Sequence, residues 1–589
     1  MFVGPVFTRE AAAAPRNWRL YFLRALYVAS LFVLVATAWL ILFGAQPVRT
    51  LADLSRFGAA AFSLVAPVQL AIAAAFSALL SAAAVAQEKD RRTFELLLLT
   101  RMTNSELVLG KLLASLMNVL VTLMAALPLL MLLVLLGGVS HSQVARVMGV
   151  TVTAALASGA LGSTIALWRE KTFQSLAITA VAIVLWLLAG EAAARGVFGL
   201  QVAGLPAARA AEAFSPLRAI AAAARPQSAA GGSWLGDSVQ LFMLVAGAVV
   251  VLLNLLAILC VRIWNPTREA RASSDDNPEA PPAGAAANIH AAPGRVRQVW
   301  DNPILWREIC TWAYGRKVLL VRAAYLAVFA ACAAAAYDAF AADRTSPAAG
   351  GMAPGVQSMV PLLALGLVLV NALAVTSITS ERDAKALDLL LVTDLTPKEI
   401  IFGKLGGIVF NAKEMILLPV LLCLVFWWYD RLSGENLVFL VLSLAALTSF
   451  VAMLGIHSGM TYANSRTAVA VSLGTLLFLL LGIAVCMRMM VAFQASFNYQ
   501  LQAFVAFMFG GGVGLHSALG ARNPSGAITW ASLLAPFATF YVISTYLQGN
   551  YGAAALVTVV MYGFTTAAML IPALFEFDVA TGRTTARDL

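Results

Sequence analysis

The side chains best suited to polar chemistry are concentrated in two charged segments of an otherwise apolar chain. Residues 88–114 read EKDRRTFELLLLTRMTNSELVLGKLLA, and residues 381–407 read ERDAKALDLLLVTDLTPKEIIFGKLGG. Each segment combines acids, bases and threonines with a short apolar run. Such a surface is suited to charge-assisted contacts with another protein or with the membrane surface.

The other reactive residue types are scattered. Five cysteines and four histidines form no CxxC or HExxH motif, so the sequence predicts neither a disulfide framework nor a zinc site. No GxxxxGK[ST] phosphate loop occurs, because Gly110-Lys111 and Gly403-Lys404 are both followed by leucine. No nucleophile–base pair is recognisable either. We therefore expect a chain that is not an enzyme and that binds no metal or cofactor itself.

The composition indicates that lipid is the solvent. The 589 residues are 61% hydrophobic and only 12% charged, against about 25% charged in a typical soluble domain. The mean hydropathy is +0.85. The net charge of +10 comes from basic residues that lie between apolar runs. That distribution follows the positive-inside rule, so a membrane partner is expected and a nucleic acid is not.

Apolar runs of about 20 residues predict an all-α polytopic membrane protein with about twelve transmembrane helices. The first run has no small-residue cleavage site after it, so it is expected to remain as a permanent anchor. The predicted spans fall near residues 21–43, 58–86, 106–137, 145–168, 174–194, 238–263, 319–341, 357–379, 399–428, 436–461, 467–489 and 549–575.

The two halves of the chain repeat each other. PVFTRE at residues 5–10 matches PILWRE at residues 303–308, and the two charged segments align without a gap. With six spans in each half, the copies would form a tandem parallel repeat about an axis along the membrane normal. The identical pairs in the charged segments are Glu88/Glu381, Asp90/Asp383, Thr100/Thr393, Thr103/Thr396, Glu106/Glu399, Gly110/Gly403 and Lys111/Lys404.

This repeat suggests two six-span units at residues 1–263 and 303–576, a flexible linker at 264–302 and a tail at 577–589. The linker is rich in proline, alanine, serine and aspartate. The basic excess predicts that both termini, the linker and the charged segments lie in the cytoplasm. Two long external loops, at about 195–237 and 490–548, contain apolar pieces that could form re-entrant or interfacial helices.

Each charged segment has local helix signals. Thr396, Pro397 and Glu399 predict a capping box with proline at the first helical position, and Thr103 with Glu106 predicts a second box. Upstream of each box, a short apolar run with one acid predicts a short helix that lies across the membrane surface. The alternative is that both segments are ordinary solvated loops, charged because they face water.

The order E-x-D, [ED]-LLL-x-T, T, E-[LI], GKL after the second span resembles the ABC-2 type permeases, the membrane subunits of ATP-binding-cassette exporters. The PxxxRE helix ahead of each first span and the long loop before each sixth span are similar to that family as well. The resemblance implies that the segment between the second and third spans is a coupling helix that docks on an ATP-binding subunit. A fused pair of units would dock two copies of that subunit, which would carry the ATP and Mg.

By this resemblance, coupling falls on residues 88–103 and 381–396. Helices that carry Arg9, Glu10, Arg307 and Glu308 would support it. Arg91-Arg92 stand where the second copy has Ala384-Lys385, so the two docking sites are expected to be unequal. The coupling residues implied are Glu88, Asp90, Arg91, Arg92, Phe94, Glu95, Thr100, Thr103, Glu381, Arg382, Asp383, Lys385, Leu387, Asp388, Thr393 and Thr396.

The resemblance implies a permease in the cytoplasmic membrane of a prokaryote. Two other classes fit the same spans: a twelve-span secondary transporter, which also has two parallel halves, and a non-transporting scaffold in an ABC complex. Against the secondary transporter, no acidic proton relay is visible in the spans. The substrate is not readable, because small and apolar residues would line the path for many substrate classes.

Overall fold

The computed structural model describes residues 5–13, 18–43, 50–199, 201–202, 205–226, 237–265, 299–310, 318–341, 354–390, 392–493, 497–520, 525–575 and 577. Nearly all of these residues are α-helical. One two-stranded antiparallel ribbon, β1 with β2, joins Gln201–Val202 to Leu205–Pro206. Most of the predicted linker at 264–302 and of the tail at 577–589 lies outside the described residues.

The first half contains eleven described helices. They are α1 (Pro5–Ala13), α2 (Trp18–Phe43), α3 (Leu51–Asp90), α4 (Thr93–Leu98), α5 (Asn104–Ala125), α6 (Leu127–Leu135), α7 (His141–Trp168), α8 (Thr172–Ala194), α9 (Ala207–Phe214), α10 (Pro216–Ala224) and α11 (Ser238–Trp264). Five of these helices, α1, α4, α6, α9 and α10, are shorter than ten residues, and only α6 continues a longer apolar run.

The second half begins with a short helix that precedes its first apolar span, as α1 does in the first half. Its described helices are α12 (Pro303–Cys310), α13 (Val318–Ala341), α14 (Pro354–Gln357), α15 (Val360–Asp383), α16 (Ala386–Leu390), α17 (Pro397–Asn411), α18 (Lys413–Trp428), α19 (Gly434–Thr461), α20 (Ser465–Phe493), α21 (Phe497–Leu519), α22 (Gly526–Leu547) and α23 (Tyr551–Phe575).

The chain is an all-α polytopic membrane protein. Its described residues contain 13 helices that are long and apolar enough to cross a membrane. Helices α17 and α18 meet at a bend of 54°, and the count becomes 14 when this pair is one broken span. Each of the twelve predicted spans coincides with one of these helices or with the bent pair. The other two, α21 and α22, fall within the loop predicted at 490–548.

The expected external loop at 490–548 is therefore largely a pair of span-length helices. The imidazole of His457, near the end of α19, is 2.8 Å from the carbonyl of Leu519, and the Tyr462 hydroxyl donates to Ala518 at 2.9 Å. Helix α21 starts at the far end of α20 and thus runs the full depth of the bundle. Among the candidate spans, α21 and α22 have the lowest hydropathy, which explains why apolar-run counting missed them.

The corresponding loop of the first half forms a short hairpin of α9 and α10. The indole of Trp186 donates to the Phe214 carbonyl at 2.9 Å, and Gln143 donates to the Ala224 carbonyl at 2.8 Å. Gln143 lies at the beginning of α7, whereas Trp186 lies deeper, within α8. The hairpin therefore enters the bundle and returns to the same end, which is the geometry of a re-entrant helix pair.

Equivalent helices pack together in the two halves. Helix α3 packs against α7 as α15 packs against α19, and α11 packs against α7 as α23 packs against α19. Glycine makes the first contact close in both halves. A Cβ at Gly162 would lie 2.5 Å from the Ala78 carbonyl oxygen, and one at Gly455 would lie 2.4 Å from the Ala374 Cβ. Small residues of this kind allow the close approach of helices within a membrane.

The halves contact each other mainly through their second and fifth spans. Helix α8 packs against α13 and α15, and α20 packs against α3. The additional helix α21 packs against α2 of the first half. The second half therefore contributes an additional helix, α21, to the interface between the halves.

Candidate functional site

Both charged segments fold into the same local arrangement after the second span of each half. Helices α3 and α15 end at Asp90 and Asp383, which stand 293 positions apart. The next turn contains a residue with left-handed backbone in each case, Arg92 with φ 58° and Lys385 with φ 56°. This conformation is uncommon outside glycine. It reverses the chain so that the short helices α4 and α16 can follow directly.

Threonines close the short helices and open the next spans. The hydroxyl of Thr100 donates to the Leu97 carbonyl and that of Thr393 to the Leu390 carbonyl, each at 2.6 Å. These bonds satisfy carbonyls that a helix end leaves without a partner. Thr103 is the N-cap of α5, and Thr396 is the N-cap of α17.

Both predicted capping boxes are confirmed. The backbone N–H of Thr103 donates to Glu106 at 3.0 Å, and that of Thr396 donates to Glu399 at 2.8 Å. The threonine hydroxyls accept the reciprocal bonds from the glutamate N–H groups at 3.3 Å. These bonds fix where the third spans begin, and hence how far the short helices stand from them.

The surface formed by the short helices is both charged and apolar. Glu95 and Leu96 are exposed on α4, and Leu99, just after it, is 67% exposed. At the position equivalent to Leu99, Val392 is 83% exposed and is followed by the exposed Asp394. Exposed apolar residues beside carboxylates form a surface that a protein partner can cover.

Several of the implied coupling residues face the interior instead. Phe94 is buried, with the Lys89 and Lys111 ammonium groups 5.6 and 5.7 Å from its ring centroid. Leu387 is half-buried on α16. The side chain of Asp388 and that of Glu10 lie outside the described residues.

A buried ion cluster joins three elements of the second half. The Lys404 ammonium on α17 is 2.7 Å from Glu308 of α12 and 2.6 Å from Glu381 of α15. It also donates to the Ser377 carbonyl at 3.1 Å. Arg307 pairs with both carboxylates, so two cations balance two anions. Burial opposes the charge of Arg307, but the carboxylates of Glu381 and Glu308 outweigh it and raise the guanidinium pKa above its ordinary value.

The first half makes the corresponding pair in a more open setting. Lys111 pairs with Glu88, whose side chain is 33% exposed, whereas the side chains of Glu308 and Glu381, which pair with Lys404, are 2% and 15% exposed. These ion pairs hold helices of the chain together; their members besides the two lysines are Glu88, Glu381, Arg307 and Glu308. Helix α12, which carries Arg307, is thereby fixed to α15 and α17.

Basic side chains at the ends of the second spans cap the fourth spans. Lys89 donates to the carbonyls of Leu167 and Arg169, and Arg382, its equivalent, donates to the Gly459 carbonyl at 2.9 Å. Cations favour the carboxyl end of a helix because its carbonyls carry partial negative charge. Arg382, an implied coupling residue, therefore lies against α19.

The two charged segments also contact each other across the interface between the halves. The Arg91 guanidinium is 3.2 Å from the Asp383 carboxylate, and the Gln87 amide donates to Asn464 at 3.0 Å. Asp90 accepts a hydrogen bond from Thr172 instead. The equivalent pair would join residue 384 to Asp90, and it cannot form because residue 384 is alanine. The contacts that the two charged segments make between the halves are therefore not symmetric.

Sequence reasoning missed the residue that anchors α4. Arg262, in the last turn of α11, donates to the Asn104 side chain at 2.8 Å and to the Leu98 carbonyl at 3.3 Å. It ties the sixth span of the first half to the segment between the second and third spans. The signal in the sequence was a basic residue at the end of an apolar run, which the positive-inside rule explains without any specific contact.

Comparisons with known proteins name no relative for this chain: no family model, no curated protein and no solved structure matches it. Among the residues that the structure describes, no three His, Cys, Asp or Glu side chains come together to form a possible metal site. The site is therefore defined by its geometry alone. It is a pair of short surface helices, each tied by ion pairs to the spans around it.

Proposed function

We propose that this chain is the membrane permease of an ATP-binding-cassette exporter, with two six-span units in one polypeptide and an inserted hairpin, α21–α22, in the second. The units form the translocation path, and ATP hydrolysis takes place in separate ATP-binding subunits, which hold ATP and Mg. The protein lies in the cytoplasmic membrane of a prokaryote with both termini in the cytoplasm.

The observation that carries this proposal is the recurrence of one arrangement: a left-handed turn, a short helix with an exposed apolar end, and a capping box. It occurs after the second span of each half, at positions 293 residues apart. A dimeric ATPase requires two equivalent membrane contacts, and two such helices in one chain would supply both.

Matched helix lengths support the two-unit organisation. Helices α7 and α19 both contain 28 residues, and each begins after a serine N-cap, at Ser140 and Ser433. The chain leaves the preceding span in both halves through a left-handed residue, Gly137 with φ 91° and Asp430 with φ 52°. Gene duplication of one six-span unit accounts for this agreement.

The ion clusters support a coupling role for the short helices. Through Glu381 and Lys404, the end of the second span is fixed to the third span and to α12. A push on α16 would therefore move these helices together rather than deform a loop. Removing one partner of such a buried pair is costly, so the elements keep their contact during movement.

The experiment that tests this proposal is purification of the tagged chain from its native membrane, followed by identification of bound proteins and assay of ATPase activity in vesicles. We expect an ATP-binding-cassette ATPase at two copies per chain. Glu95→Lys should weaken its association or uncouple ATP hydrolysis from export, because charge reversal at a docked contact introduces repulsion. Asp388→Lys should act in the same way, and the double variant more strongly.

Glu435→Lys is the matched control. Glu435 is an exposed acid at the opposite end of α19 from the charged segments, so its reversal should leave association unchanged. Transport driven by an ion gradient without ATP would favour a secondary transporter and contradict the proposal. Wild-type coupling in both Glu95→Lys and Asp388→Lys would favour the alternative that the charged segments are ordinary solvated loops.

A further inference from the structure

An apolar cavity of about 40 Å³ lies between α20, α21 and α22. Helices α21 and α22 form a hairpin, and the described residues of the corresponding loop in the first half form only the much shorter α9 and α10. The residues that define the cavity most closely are Phe478, Gly482, Cys486, Phe504, Met508 and Phe540.

The lining offers no anchor for a polar guest. Its only polar side chains are Cys486 and Thr539, and the Thr539 hydroxyl donates within its own helix to the Ala535 carbonyl at 2.8 Å. A buried water generally needs two to four polar partners, whereas an apolar cavity stays dry and accepts an apolar guest. The lining therefore selects hydrocarbon.

The cavity reaches the outer surface of the bundle near the middle of a span. Phe478 lines the cavity and is 41% exposed, and it lies midway along α20. Gly482 also lines the cavity, and a Cβ atom added there would meet no atom within 4 Å. At this depth the surrounding solvent is the hydrocarbon core of the bilayer.

We propose that this cavity is a binding site for the acyl chain of a membrane lipid. Phe478 lies at its mouth, and the aromatic rings of Phe504 and Phe540 form its inner wall. Dispersion contacts with these rings and with Met508 hold the chain, because many weak contacts sum to a substantial attraction. The site lies in the second half, where the hairpin α21–α22 is found, and it does not depend on the proposed transport function.

The first measurement uses the wild-type chain in vesicles that contain a phospholipid with a diazirine in the middle of one acyl chain. After illumination, adducts are mapped by mass spectrometry. Phe504 and Phe540 are only 1% and 3% exposed, so bulk lipid at the surface does not reach them. We expect adducts at both residues and their loss when unlabelled lipid is added in excess. Absence of adducts at both residues would overturn the proposal.

The second measurement compares two glycine variants of the full chain. Gly482→Leu fills the cavity and should abolish the adducts at Phe504 and Phe540. Gly563→Leu is the matched control, because Gly563 is an exposed glycine of α23 that also has no atom within 4 Å of an added Cβ. It should leave the adducts unchanged. Unchanged labelling in Gly482→Leu, or equal loss in both variants, would refute an acyl-chain site at this position.

Discussion

The buried lysine of the second half is balanced by residues that are distant in sequence. Lys404 and the Glu308 side chain are each 2% exposed, and their charged atoms are 2.7 Å apart. Burying an isolated charge is prohibitive, so each member of the cluster depends on the others. The equivalent Lys111 is paired with a carboxylate that water can reach. Identical residues at equivalent positions therefore carry different energetic weight.

We expect Lys404→Met to destabilise the protein by about 3–5 kcal/mol, the typical cost of removing one partner from a buried ion pair. Lys111→Met should cost clearly less, because water can solvate Glu88 once its partner is gone. Thermal unfolding of the two variants in lipid nanodiscs measures the difference. Equal loss in both variants would show that the difference in exposure between the carboxylates that pair with the two lysines has no energetic effect.

At the scale of helices, the second and fourth spans of each half are in close contact at a glycine. An added Cβ at Gly455 would also lie 2.8 Å from the Val375 backbone nitrogen, and one at Gly162 would lie 2.9 Å from the Ser81 hydroxyl. The Val375 nitrogen and the Ala78 carbonyl oxygen, which is nearest to Gly162, are backbone atoms and cannot swing away. The helices would have to separate to admit any larger residue.

Gly162→Leu and Gly455→Leu should therefore each destabilise the protein by at least about 1–3 kcal/mol, the usual cost of overpacking. Gly563→Leu should leave stability unchanged, since open space surrounds that glycine. Fluorescence-detected size-exclusion chromatography after heating ranks the variants. Stability of Gly455→Leu at the level of Gly563→Leu would contradict this close packing.

Another prediction at this scale concerns the contact between the halves. The Gln87 and Asn464 side chains are 3.0 Å apart and belong to different halves. Cysteines placed at both positions, with the five native cysteines replaced, should react with a short bifunctional thiol reagent. If the proposed exporter moves its substrate by reorienting the two halves around the path, crosslinked protein should lose export while uncrosslinked protein keeps it. Full export after complete crosslinking would argue against movement at this contact.

At the scale of the whole molecule, the hairpin α21–α22 adds two spans to the second half. The last helix of that half nevertheless ends on the same side of the membrane as it would without them. Two additional spans restore the original orientation, so α23 still ends on the side of the charged segments. That side is marked by the 5.9 Å approach of Lys398 to the Phe575 ring. The hairpin also packs against α2 of the first half, so the two halves differ in their contacts.

Accessibility labelling tests this arrangement independently of function. We expect Gly526→Cys, at the beginning of α22, to react with a membrane-impermeant maleimide from the same side as Thr100→Cys. Gln548→Cys, between α22 and α23, should react from the opposite side. Vesicles of both orientations provide the comparison. Reaction of Gly526→Cys and Gln548→Cys from one side would mean that the hairpin is re-entrant rather than spanning.

The sequence by itself determined the features that depend on neighbouring residues. Apolar runs located twelve of the helices, because each run must satisfy its backbone hydrogen bonds within itself in lipid. The two capping boxes were predictable, because Thr103 and Thr396 bond residues only three positions away. The alignment of the charged segments was visible without any structure, since it is a property of residue order.

Only the tertiary structure decided which charges face inward and how the halves meet. A glutamate beside a span end has the same sequence signature whether it faces water, as Glu95 does, or a buried lysine 23 residues away, as Glu381 does. The contact of Arg91 with Asp383 joins residues 292 positions apart. The hairpin α21–α22 escaped detection because both of its helices are less apolar than the other spans, α21 partly through its four glycines. Packing against α2, α20 and α23 compensates for that low hydropathy, and no local pattern records it.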